Sequence, residues 1–150
     1  MIYTTDNNLI NRIPVINTLK EKDEEKGWER VLEWQLIDVK KGDILDIRVE
    51  FLAKNETARL RMKAVRVTSR IIGDCFSYNT NAEIEILEKG GQNICGDMHY
   101  WLCSRSSLYK IDKNYQSINI GLEIKAALQG ALKTDYIDIG KTCWMQIKVN

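Results

Sequence analysis

Residues 44–67 read ILDIRVEFLAKNETARLRMKAVRV, and this stretch decides the fold. From Leu45 every second residue is apolar: Leu45, Ile47, Val49, Phe51 and Ala53. Asp46, Arg48, Glu50 and Lys54 stand between them, with Leu52 the exception. A period of two marks a strand with one buried and one wet face. After Asn55 and Glu56 the alternation resumes, with Ala58, Leu60, Met62 and Ala64 apolar and Thr57, Arg59, Arg61 and Lys63 polar. Folding the two runs about that centre predicts a long hairpin in which Phe51 faces Leu60, Val49 faces Met62 and Ala53 faces Ala58. Glu50 then faces Arg61, a favourable cross-strand pair. Arg48 opposite Lys63 is unfavourable, but a one-residue slip would set every apolar side chain against a charged one.

Upstream, Leu32, Trp34 and Leu36 share one parity while Glu33 and Gln35 share the other, which predicts a strand over 31–39. Lys40, Lys41, Gly42 and Asp43 form a turn. Residues 18–26 are densely charged. A short helix from Asn17 or Thr18, with Glu21 completing a capping box and Gly27 ending it, competes evenly with a loop. Residues 1–17 are expected to form a polar arm ending in a short edge strand, where Pro14 is tolerated.

Downstream, 69–81 is expected to be a loop or corner with a short strand at 75–78. Ala82, Ile84 and Ile86 alternate with Glu83 and Glu85 as another strand, and Gly90 and Gly91 turn the chain. Residues 98–104 are apolar on both parities, as in a strand buried on two sides or at a subunit contact. Residues 106–111 form a weaker strand. Asp112, Lys113 and Asn114 make a turn. Ile118, Ile120, Leu122, Ile124 and Ala126 then alternate cleanly with polar neighbours. A loop spans 129–135, and strands at 136–139 and 142–149 flank Gly140 and Lys141. In the last strand Cys143, Met145, Ile147 and Val149 share a parity opposed by Trp144, Gln146 and Lys148.

Eight to ten strands with no convincing long helix predict an all-β, two-layer antiparallel β-sandwich of jelly-roll type. The chain has 150 residues and a net charge of +1, with one proline and no linker or internal repeat, so a single domain over 1–150 is expected. Its apolar and charged fractions, 44% and 29%, suit a soluble protein. No apolar run approaches a membrane span, and the polar start lacks the core of a signal peptide. Synthesis in the cytoplasm is therefore expected. Cys75, Cys95, Cys103 and Cys143 are irregularly spaced and are read as free, mostly buried thiols.

Catalytic and metal chemistry find little purchase. The single histidine, His99, lies mid-strand and is read as a structural hydrogen-bonding residue. No nucleophile elbow, phosphate loop or zinc-ligand spacing occurs. Glu83 and Glu85 share a wet strand face rather than flanking a cleft. The basic row Arg59, Arg61, Lys63 and Arg66 is read as a solvated strand face rather than a nucleic-acid contact. No enzyme, cofactor, metal or membrane partner is expected. Tyr78, Tyr109 and Tyr115 fall in or near predicted loops, where rings can stack on sugars.

The order of these features is suggestive. The turn at 40–43 leads into the amphipathic hairpin; Asn93, Ile94 and the run Met98, His99, Tyr100, Trp101 follow. The alternating strand at 118–126 comes next, and the chain closes on GKTCWMQIKV at 140–149. This pattern resembles the jelly-roll knob domains of the tumour-necrosis-factor-like type, including those on phage head and tail fibres. The resemblance covers roughly 31–149. It implies a homotrimer with apolar and aromatic residues along its axis, a place on a virion surface, and glycan or other viral structural protein as partner. Residues 1–30 show no heptads, so no fibre shaft is encoded there.

The expected function is a non-enzymatic structural or adhesive module that oligomerises and binds a surface. Met98, Tyr100, Trp101 and Leu102 are its candidate interface residues. The alternative is a monomeric carbohydrate-binding module using Tyr78, Tyr109 and Tyr115.

Overall fold

A computed structural model describes residues 1–18, 26–55, 65–74, 83–88, 92–94 and 98–150, with backbone alone for 55, 83–88, 92–94 and 98–101. The alternating runs become ten strands: β1 (Ile2–Thr5), β2 (Arg12–Asn17), β3 (Glu29–Val39), β4 (Ile44–Asn55), β5 (Val65–Gly73), β6 (Glu83–Glu88), β7 (Gln92–Ile94), β8 (Met98–Lys110), β9 (Tyr115–Leu128) and β10 (Tyr136–Val149). No helix occurs among the described residues.

The strands fold into two layers. The front sheet runs β7-β8-β4-β10, with β1 alongside the second half of β10. The back sheet runs β6-β5-β9-β3. Between the sheets lie Leu45, Ile47, Val49, Phe51 and Ala53 of β4, each at most 1% exposed. They meet Ile118, Ile120, Leu122, Ile124 and Ala126 of β9, equally buried. Fully burying a side chain of this size contributes about 1.5–3 kcal/mol, so these two strands fix the inner faces. From β3 onward the chain moves back, front, back, back, front, back, front through β3, β4, β5, β6, β8, β9 and β10. That path is a jelly-roll sandwich.

The parity of β4 is as expected, but its partners are not. β8 pairs with it from Ile44 to Asn55, and β10 pairs with the opposite edge from Leu45 to Lys54. Phe51 therefore sits between Cys103 and Cys143. Both hydrogen-bonding edges of β4 are taken, so the expected Phe51–Leu60 register has no edge to occupy. The second arm of that hairpin, 58–64, lies outside the described residues. Its continuation, β5, joins the back sheet between β6 and β9.

Three further boundaries differ from expectation. β5 runs on to Gly73, through residues read as a loop, because Thr68, Ser69, Arg70, Ile71 and Ile72 are all buried and no wet face leaves a period of two. The strands expected at 136–139 and 142–149 are one strand, β10, and Gly140 and Lys141 lie in a register shift between Ile139 and Cys143. Residues 1–17, read as an arm, carry β1 and β2. Rather than forming an edge, β2 runs antiparallel to β10 at Arg12–Pro14 and then parallel to β9 from Val15 to Asn17. Pro14 falls where the strand passes from one layer to the other.

Candidate functional site

Each sheet has an outer face, and the two are built differently. On the back sheet a row of alternating charge crosses four strands: Arg30 (β3), Glu123 (β9), Arg70 (β5) and position 83 (β6). Arg70 Nε donates to Glu123 Oε1 at 2.9 Å, while Arg30 Nε and Nη2 donate to Glu123 Oε2 at 3.3 and 3.2 Å. Arg30 also donates to Glu33 at 3.0 Å. Gly121 makes room for this, since a Cβ there would lie 2.6–2.7 Å from the Arg30 side chain. Gly27, at φ +86°, turns the chain so that Trp28 reaches the same face. Arg70 stacks on the Trp28 ring at 4.2 Å, with Lys125 at 5.8 Å. The charges here are answered within the chain.

The front sheet's outer face is more open. Its rows, read across strands, are Ile2–Lys148–Asp46–Leu108, then Thr4–Gln146–Arg48–Ser106, Trp144–Glu50–Ser104 and Leu52–Leu102. Leu108 is 70% exposed, Leu102 63%, Ile2 59% and Ile44 41%. These are four of the eight large apolar side chains exposed among the described residues, gathered on one face. Between the leucines lies a shallow polar depression of about 280 Å³, lined by Arg48, Ser104, Ser106 and half-buried Trp144. Arg48 Nη2 meets Asp46 Oδ2 at 3.4 Å with its own side chain 60% exposed.

The expected site residues do not share one face. Leu102 stands on the open front face. Tyr100, opposite Lys54, occupies the same parity of β8; Trp101, opposite Ala53, occupies the other, and Met98 pairs with Ile94. The side chains of these three lie outside the described residues, as does the whole of Tyr78. Tyr109 sits opposite Leu45 on the inner side of β8, and Tyr115 opposite Val39 at the start of β9; both pack against the core. The Tyr115 hydroxyl donates to Asp112 Oδ1 at 2.7 Å, which holds that carboxyl below its usual value. Ile2, Ile44, Leu108 and Trp144 are not among the sequence-predicted site residues. At Ile44 and Trp144 the signal is an apolar residue on the polar parity of a clearly alternating strand, whereas Ile2 and Leu108 lie in runs without clean alternation.

No group of acidic, histidine and cysteine side chains placed to hold a metal ion occurs among the described residues. Cys103 and Cys143 are buried thiols, and burial pushes the Cys143 thiol up to about 12. A thiol held so far above neutrality supplies almost no thiolate.

Fold and faces define an all-β jelly-roll sandwich with one face closed by its own charges and one presenting leucines around a polar centre. No family model matches the chain, and no curated protein matches it. Among solved structures it is similar to the infectious bursal disease virus VP2 subviral particle, at 14% identity and a TM-score of 0.47, over 98% of this chain. The aligned region is 32% of that chain, so this protein spans about a third of its length.

Proposed function

We propose that this protein is a non-enzymatic structural or adhesive module that works by self-association through the outer face of its front sheet. One observation carries the reading: Ile2, Ile44, Leu102 and Leu108, four of the eight large apolar side chains exposed among the described residues, all lie on that face. Such a bias of exposed apolar side chains to one face, among polar neighbours, favours a contact there. The depression between them offers a guanidinium and an indole, groups enriched at protein interfaces. A knob on a virion fibre or capsid surface, the setting the sequence resemblance implies, would gain strength from several copies acting together. Other copies of the chain are its first partners; a viral structural protein or surface glycan would be bound by the assembly.

The test is molar mass by size exclusion with light scattering across a concentration series. The expected result is an oligomer that Leu102→Lys with Leu108→Lys converts to a monomer with an unchanged far-ultraviolet spectrum. A wild-type chain that stays monomeric at high concentration overturns the reading.

A further inference from the structure

We infer that the front face pairs with the same face of a second copy about a twofold axis running across β4 at Val49. The inference rests on the self-association proposed above and adds its symmetry and its deciding contact.

Val49 lies opposite Arg105 on β8 and Met145 on β10, which makes one row across the sheet. On the outer face, one residue to either side of that row, stand Arg48 and Glu50, Ser106 and Ser104, and Gln146 and Trp144. Three residues away on β8 stand Leu108 and Leu102. An axis along the row, in the plane of the face, turns each position onto its counterpart. Leu102 meets the partner's Leu108, and Ser104 meets the partner's Ser106. Arg48 meets the partner's Glu50, and Glu50 meets the partner's Arg48. Close to the axis the face is complementary to itself, as an isologous contact requires; farther out on β4, Asp46 falls on the partner's Leu52 and Ile44 on the partner's Lys54.

Two physical points favour the central pair. Sheets stacked face to face cross at about 30°, so residues far from the axis diverge while those one step away stay aligned. Arg48 is held by Asp46 only through an exposed contact at 3.4 Å; such pairs contribute little, so exchanging it for a more shielded one costs little. The area falls at the lower end of the usual range. Eleven residues of β4 and four strands span at most about 34 by 19 Å from strand rise and spacing. That footprint, roughly 650 Å², compares with the ~600–1,000 Å² per partner buried in stable complexes.

The experiment is charge exchange in the full chain, read as molar mass against concentration. Wild type is expected at twice the mass of one chain. Arg48→Glu alone sets Glu against Glu twice, and Glu50→Arg alone sets Arg against Arg twice. Each is expected to raise the dissociation constant about tenfold or more. Mixing the two variants restores a one-to-one heterodimer, and R48E with E50R in a single chain restores the homodimer. Thermal unfolding of each single variant checks that both chains fold. A trimeric wild type, or a dimer indifferent to either single reversal, overturns the twofold pairing while leaving self-association standing. A monomeric wild type overturns both.

Discussion

On the back sheet each oxygen of the Glu123 carboxylate is held by a different arginine; on the front sheet Glu50 has Ser104 and Trp144 as its row neighbours. Both faces come from strands that alternate in the same way. They differ in what stands next door across the sheet. Where opposite charges fall in one row and a tryptophan covers them, the face satisfies itself. Where Glu50 has a serine and a tryptophan across the sheet, its charge is left for something outside the chain. Cross-strand neighbours, rather than composition, decide which outer face is closed.

The largest expected effect is on the closed face. Glu123→Ala removes the acceptor shared by Arg30 and by Arg70, whose side chain is 10% exposed. Breaking a buried pair from one side costs roughly 3 kcal/mol, measurable by urea unfolding, with oligomeric mass unchanged. A smaller loss would mean that the face is less closed than its geometry suggests. Gly121→Ala forces the Arg30 side chain aside. The Arg30 end is flexible, so a loss of about 1 kcal/mol is expected, and Arg30→Ala in the same chain should absorb most of it. A non-additive double-mutant cycle sharpens the point that Gly121 exists to admit Arg30.

The open face should respond in the opposite sense. Leu102→Ser with Leu108→Ser is expected to change chain stability by about 0.5 kcal/mol or less, since exposed positions rarely contribute more. The same pair should weaken assembly. A large loss of stability without loss of assembly would erase the contrast between the faces. The smallest effect lies at the end of the sandwich. The Tyr115 hydroxyl holds Asp112 below its ordinary value of 3.8. A carboxyl whose folded value is depressed adds stability above its unfolded value and loses it as pH falls through the folded one. Tyr115→Phe should raise the Asp112 midpoint in an NMR titration and flatten stability against pH below 3.8.

Much of this was readable from residues alone. Leu45 to Ala53 and Ile118 to Ala126 announce their inward sides because a pleated strand alternates and one side must leave water. The sandwich class follows from many such strands without a helix. Of the residues expected at a contact, Leu102 and Tyr100 fall on the parity of β8 that forms the proposed face. Leu108 lies in a run whose alternation is weak, and the importance of Trp144 and Ile2 depends on strands brought together from opposite ends of the chain. The extent of β5 was hidden for the reverse reason: Arg70 is buried by Glu123 and Trp28, so a charged residue occupies a dry position and the two-residue signal disappears.

Sequence by itself determined which side of each clear strand faces inward, since that is a local property of side-chain order and the cost of wetting apolar groups. Only the tertiary structure decided that β4 lies between β8 and β10 rather than beside the chain that follows it. Backbone hydrogen bonds are alike for every strand, so local pattern cannot choose among partners; closing two sheets over one core makes that choice.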